Sequence, residues 1–230
     1  MTTLGNLFRE MPVNADEGTI PIRTEICPEA TGSPTISIRD EQIHALVQQL
    51  FFRHEAGMVR NVGFAPTEES MQMAPLCLDV AKALAGEGKY HVGLIDAGFD
   101  PISLQQQLKI AAPSPAKVTW PVSPRLKLVP RQSWWPEAGL QPVTDQNLER
   151  LREVMTDFDF SIVCCAPVCW ITARIGHNCD GLVLVLTANR TRRLVAAQIV
   201  DRLGKVGVPL LGTILADRRF PVPEGLYRSL

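Results

Sequence analysis

Val92-Gly93-Leu94-Ile95-Asp96-Ala97-Gly98-Phe99 is an apolar run that ends in an acid and then a small-residue turn. Apolar or glycine positions without a polar alternation suit a strand buried on both faces. The break at Ala97-Gly98 puts the Asp96 carboxylate at the strand's carboxyl end, the edge of an open α/β sheet where ligands bind.

Upstream, a strand-like segment from Val62 to Ala65 is followed by a helical stretch from Pro75 to Ala85, and Gly86-Glu87-Gly88-Lys89 leads into the Asp96 strand. Downstream lie further apolar runs: Leu126–Val129, Phe160–Cys165, Asp180–Thr187 and Val208–Leu215. Helical spacing is read for Leu104–Ile110, Gln146–Met155 and Leu194–Leu203. Strand and helix alternating in this way predict a three-layer α/β architecture, a mainly parallel central sheet with helices on both faces.

A chain of 230 residues, 46% hydrophobic and 20% charged, can bury one large core. The net charge of -1 offers no general basic surface for phosphate neutralisation, so nucleic acid is not expected as a partner. No apolar run approaches the roughly 20 residues that span a bilayer, and the amino terminus lacks a basic-then-apolar signal pattern. The expected location is the cytoplasm, or the inner membrane's periphery through a partner. Residues 1–39 read as a flexible leader, within which Leu4, Leu7, Phe8 and Met11 could form one amphipathic turn, and 40–230 as the folded domain. That domain opens with a helix in which Ile43, Leu46, Val47, Leu50 and Phe51 share a face, Asp40 is placed to cap the first turn, and Gly57 ends the helix.

Between the first core strand and the helix after it stands Pro66-Thr67-Glu68-Glu69-Ser70-Met71-Gln72-Met73-Ala74. A phosphate loop at this place needs glycines so that backbone N–H groups can wrap the anion, a lysine for the outer phosphates and a hydroxyl for magnesium. The segment has no glycine and no lysine, and Glu68 and Glu69 would repel a triphosphate. Gly86-Glu87-Gly88-Lys89 imitates the end of such a loop, but it follows a helix and precedes a strand, the place of a helix C-terminal turn.

With these elements placed, the stretch from about Asp40 to Leu230 resembles the cytoplasmic ATPase domain of bacterial tyrosine kinases of capsular and exopolysaccharide synthesis, relatives of the partition-type deviant-Walker ATPases. Leu94-Ile95-Asp96-Ala97-Gly98 is similar to that family's L-L-I-D-A-D, with Gly98 replacing the second acid. Phe158-Asp159-Phe160-Ser161-Ile162-Val163-Cys164 lines up with its Walker B segment, with Cys164 in place of the acid. Asp180–Val185 with Thr191-Arg192-Arg193, and Gly207–Gly212, match two further motifs.

The resemblance implies a P-loop-NTPase-like fold and a membrane polysaccharide copolymerase, or chain-length determinant, as partner. It also marks what is altered. The phosphate-loop positions fall on Ser70, Met71, Gln72, Met73 (the lysine) and Ala74 (the hydroxyl), so the nucleotide pocket, which also includes Asp96, Gly98 and Cys164, reads as degenerate. Phosphoryl transfer rests on electrostatic stabilisation and positioning, and the groups that supply them are missing together. Of the family's assembly motif E-x-x-R-x-x-R only Glu41 is kept, with His44 and Val47 at the arginine positions, and the tyrosine-rich tail is absent. Homo-oligomer formation stays open.

The leading expectation is a catalytically inactive kinase- or ATPase-like protein, an interaction or regulatory subunit of exopolysaccharide or capsule biosynthesis and export, without catalytic residues, ATP or magnesium. Partner contact is expected at Glu41, His44, the adjacent Trp134 and Trp135, and the carboxyl-terminal Phe220–Leu230. The alternative is a nucleotide-binding ATPase or tyrosine autokinase with an unorthodox phosphate loop, in which Asp96 holds magnesium through water and Arg190, Arg192 and Arg193 contact the anion. A metal site from Cys164, Cys165, Cys169, His177 and Cys179 is disfavoured, because adjacent strand residues point to opposite faces; buried thiols are the simpler reading, and no metal is expected.

Overall fold

The computed structural model describes residues 23–26, 38–52, 58–69, 71–98, 103–110, 119–136 and 142–216. In chain order these form β1 (Arg23–Ile26), α1 (Ile38–Val47), β2 (Asn61–Pro66), α2 (Ala74–Gly86), β3 (Val92–Ala97), α3 (Leu104–Gln107), β4 (Trp120–Ser123) and β5 (Leu126–Val129). Then follow α4 (Arg131–Trp134), α5 (Asp145–Thr156), β6 (Phe160–Cys165), α6 (Trp170–Gly176), β7 (Gly181–Thr187), α7 (Arg193–Lys205) and β8 (Leu210–Ala216).

The strands make one sheet of eight, in the order β1-β8-β7-β2-β6-β3-β5-β4. Every pairing is parallel except β4 with β5. From β2 the chain crosses through α2 to β3, and from β6 it returns over β2 through α6 to β7. The crossovers therefore diverge around β2, and the switch in direction opens a crevice at the carboxyl ends of β2, β6 and β3.

Alternation along the strands sorts the core into two layers. Phe160, Ile162 and Cys164 of β6 pack with the α1 and α2 side, among Leu46, Leu50, Val80 and Leu84. Val163 and Cys165 pack on the other side with Leu151 of α5, Ile175 of α6 and Leu203 of α7. These are the three layers that the strand and helix alternation predicts, and both sheet faces are covered, as a parallel sheet requires.

Several local features follow from chemistry. α1 begins two residues before Asp40, which together with Glu41 sits in the first turn, where the helix dipole favours acids. A wider π-helical turn, Gln48–Phe52, continues it and buries both Leu50 and Phe51, with Phe51 edge-on to Phe160 at 5.3 Å. Gly88, at a φ of 75°, follows the end of α2, so Gly86–Lys89 is the helix C-terminal turn predicted. The apolar-turn reading of Leu4, Leu7, Phe8 and Met11, Ser70, the stop at Gly57 and the Phe220–Leu230 contact all lie outside the described residues.

Four elements escaped the sequence reading: α6 (Trp170–Gly176) and three more. β1 falls inside the stretch read as leader and pairs with β8 from Arg23 opposite Thr213 to Ile26 opposite Ala216. β4 is the antiparallel edge strand, and the sequence Trp-Pro-Val-Ser has too few apolar positions to announce itself. α4 turns directly after Pro130, whose fixed φ suits the residue ahead of a helix.

Candidate site at the carboxyl edge of the sheet

Asp96, the penultimate residue of β3, is held on all sides. One carboxylate oxygen accepts the Gly98 N–H and the other the Leu104 N–H, each at 3.1 Å. The guanidinium of Arg131 lies 3.7 Å from that second oxygen; its side chain is 12% exposed and that of Asp96 is 4% exposed. The Asp96 carbonyl accepts the indole N–H of Trp134 at 2.9 Å. The acid thus fastens the turn after β3, the start of α3 and the start of α4 to one point.

Trp134 and Trp135 correct the sequence reading. Both are buried, at 0% and 4% exposure, so they are core residues and not an exposed partner anchor. The expectation failed because it took the stretch as extended, in which two neighbours cannot both face inward. Here Trp134 ends α4 and Trp135 is its C-cap, and the helical turn lets both rings enter the same core, 5.9 Å apart.

Across the crevice, the segment after β2 is tied to the start of α7. The Thr67 N–H continues the ladder to the Val185 carbonyl at 3.0 Å. Thr191 has one hydroxyl proton and donates it to Glu68 at 2.8 Å, while it accepts the Thr187 N–H at 3.0 Å. The Thr67 hydroxyl lies 3.0 Å from that of Thr191 and 3.4 Å from the Val185 carbonyl, to which it can donate. Glu68 is therefore a structural acceptor that pins its loop to the neighbouring crossover.

At the positions that the resemblance aligns with the phosphate loop, Met71 is half-buried, Gln72 exposed, and Met73 and Ala74 buried in the α2-side core. Met73 is the N-cap of α2 and provides no side-chain cap. Pro75 follows Ala74 in the first turn and removes one of the N–H groups that a helix N-terminus offers an anion. Cys164, at the place of the Walker B acid, is buried on the same side as Cys77 of α2. Gly98 is buried and spends its N–H on Asp96. The cleft lined by Glu69, Met73, Asp96, Arg131 and Cys164 has a volume of about 20 Å³, enough for about one water. Ordinary small-molecule sites start near roughly 300 Å³.

The other named residues lie elsewhere. Arg190, Arg192 and Arg193 are exposed: Arg190 lies between β7 and α7, Arg192 is the N-cap of α7 and Arg193 its first residue. Glu41 and His44 are exposed on α1, one turn apart. Cys164 and Cys165 face opposite sides of the sheet, and among the described residues no three His, Cys, Asp or Glu side chains are grouped to hold a metal ion. Burial pushes the Cys77 thiol well up, helped by contact with Cys164, and pushes Cys165 up similarly. Cys179 is pushed up to about 12 by burial and by the nearby Asp180. Arg131 was missed in the sequence; the only signal for it was a basic residue just past a buried strand's end.

This sheet order, with both faces covered and a crevice beside β2, defines a P-loop-ATPase type of fold. Solved structures bear this out. The crystal structure of the chimerical protein CapA2B2 superposes with a TM-score of 0.65 at 14% identity, covering 87% of this chain and 95% of that one. The kinase domain of the Escherichia coli tyrosine kinase ETK gives 0.65 at 16% identity, covering 81% and 79%. A ParA family ATPase from Chlorobium tepidum TLS gives 0.55 at 18% identity, covering 69% and 74%. At these identities it is the fold that is shared. No protein-family model matches the chain, and neither does any curated protein. No helix among the described residues is long and apolar enough to cross a membrane.

Proposed function

We propose that this chain is a kinase- or ATPase-like protein that does not transfer phosphoryl groups. It serves as a cytoplasmic interaction or regulatory subunit of exopolysaccharide or capsule biosynthesis and export, alongside a membrane polysaccharide copolymerase or chain-length determinant. The observation that carries the reading is the state of Asp96. Its oxygens are taken by Gly98, Leu104 and Arg131, so the acid best placed to hold magnesium already has its charge balanced within the fold.

The remaining chemistry agrees. Magnesium and triphosphate call for a hydroxyl, a lysine and an acid, and the aligned side chains are Ala74, Met73 and Cys164, which neither coordinate a hard cation nor neutralise phosphate. Glu68 adds negative charge to the loop. Magnesium and triphosphate do not fit this set of side chains. The polysaccharide setting rests on the sequence resemblance, and tyrosine kinase domains among the structural neighbours share the fold that the resemblance implies. Among the described residues, Glu41 and His44, exposed together on α1, are the expected partner contacts left after the tryptophans are assigned to the core.

Titration calorimetry of the purified chain with ATP and magnesium tests this reading. No binding is expected into the millimolar range; micromolar affinity would overturn it. The second reading, a nucleotide site with unorthodox chemistry, rests on Arg190, Arg192 and Arg193 at the same sheet edge. It requires nucleotide binding that is lost in an Arg192→Ala, Arg193→Ala double variant.

A further inference from the structure

Exposed apolar side chains are few among the described residues, and three of them gather at the carboxyl edge of the sheet. Trp170, the first residue of α6, is 46% exposed, and Leu194 and Val195, in the first turn of α7, are 59% and 41% exposed. The two helix starts flank one segment of chain. The Val168 N–H donates to the Pro66 carbonyl at 3.2 Å, and the hydroxyls of Thr67 and Thr191 meet at 3.0 Å. Arg190, Arg192 and Arg193, all exposed, complete the patch. The carboxylates on the adjoining loop are Glu69, exposed, and Glu68, which is engaged by Thr191.

The arrangement is costly to the helix that carries it. Acids favour a helix N-terminus and cations disfavour it, yet α7 has Arg192 as its N-cap and Arg193 as its first residue, with no side-chain cap. Trp170 is not loose either: the Arg174 guanidinium lies 5.9 Å from its ring centre and is itself held by Asp145 and by the Val143 carbonyl.

We infer that the edge formed by Trp170, Arg190, Arg192, Arg193, Leu194 and Val195 docks on an anionic lipid bilayer. Indole rings settle at the headgroup level, arginines are drawn to acidic headgroups, and short aliphatics enter the acyl boundary. A partner helix is a poorer match. It needs an apolar stripe running over several turns, whereas the later turns of α7 expose Gln198, Asp201, Arg202 and Lys205. A flat surface that touches only the ends of α6 and α7 meets the apolar residues where they are.

The test is sedimentation of the full chain with vesicles of phosphatidylcholine alone and of phosphatidylcholine mixed equally with phosphatidylglycerol. Binding is expected to the anionic vesicles only and to fall at high salt. Trp170 emission should shift to the blue, because the other three tryptophans are buried. Each arginine near an anionic surface multiplies partitioning roughly fivefold, so Arg192→Ala with Arg193→Ala lowers it about 25-fold. Met58→Ser, at the opposite edge, should leave it unchanged. Failure to bind anionic vesicles at low salt, equal binding to both kinds, an unshifted emission, or indifference to the double arginine variant would each overturn the inference. The measurement uses neither nucleotide nor copolymerase, so its outcome is independent of the function proposed above.

Discussion

Arg131 stands 3.7 Å from the carboxylate of Asp96, both side chains largely shielded from water, so the acid at the end of β3 is neutralised by the first residue of α4. A buried charge left without its partner is costly, typically about 3–5 kcal/mol. Arg131→Ala should therefore lower stability by about 3 kcal/mol, read as a lower urea midpoint. An unchanged midpoint would show that the pair contributes nothing.

Thr191 joins three backbone and side-chain partners at one hydroxyl. Thr191→Ala strands the Thr187 N–H and frees Glu68, at about 1–3 kcal/mol, while Thr191→Ser keeps the hydroxyl and recovers most of the loss. In a chain of this size about 1 kcal/mol moves the thermal midpoint by roughly 2–4 °C, so calorimetric scans resolve the two variants.

Gly93 lies under the Phe158 ring, and a Cβ there would come within 2.5 Å, 2.8 Å and 2.9 Å of three ring carbons. A rigid ring cannot give way as an aliphatic tip can. Gly93→Ala should cost about 1–3 kcal/mol of overpacking. Gly204→Ala, where a Cβ meets nothing within 4 Å, should not destabilise. Paired urea melts decide between them.

The buried thiols set a pH dependence at the alkaline end. Cys179 ionises in the folded chain at about 12 against an ordinary 9.0, and Cys77 and Cys165 are raised in the same direction. The folded state therefore keeps protons that the unfolded state loses. Stability from this source is complete below about 9 and declines as pH rises toward 12. Urea midpoints measured across that window should fall with pH, and less steeply in Cys179→Ala. Thiol-reactive dye at pH 8 should label Cys169, which is half-buried, ahead of the other described cysteines.

Acrylamide quenching separates the tryptophans. Trp134 and Trp135 are core residues and Trp120 is 8% exposed, leaving Trp170 as the accessible ring. Trp170→Phe should remove nearly all the quenchable emission, whereas Trp134→Phe should remove unquenched emission and destabilise the fold by severing the hydrogen bond to Asp96. Quenching that survives in a Trp120→Phe, Trp170→Phe double variant would contradict the burial of the pair.

Much of the scaffold was legible because its signals are local. Phe160–Cys165 and Leu126–Val129 coincide with their strands, since an unbroken apolar run has one good use in an α/β chain. The helix over Pro75–Ala85 and the turn at Gly86–Lys89 were legible from spacing and from glycine's freedom at positive φ. The composition of the segment after β2 was readable too, because the absence of lysine and glycine from Pro66–Ala74 is a property of sequence.

The chain by itself thus determined that there would be a parallel sheet covered on both faces, and that the segment between its first core strand and the next helix would carry neither the glycines nor the lysine that a phosphate loop needs. Only the tertiary structure decided what those positions do instead. Glu68 and Thr191 are 123 residues apart, Asp96 and Trp134 are 38 apart, and neither pair leaves a mark in local periodicity. Hydrophobic spacing records which face of an element is buried; which polar groups then meet at a sheet edge depends on the order in which distant strands pair.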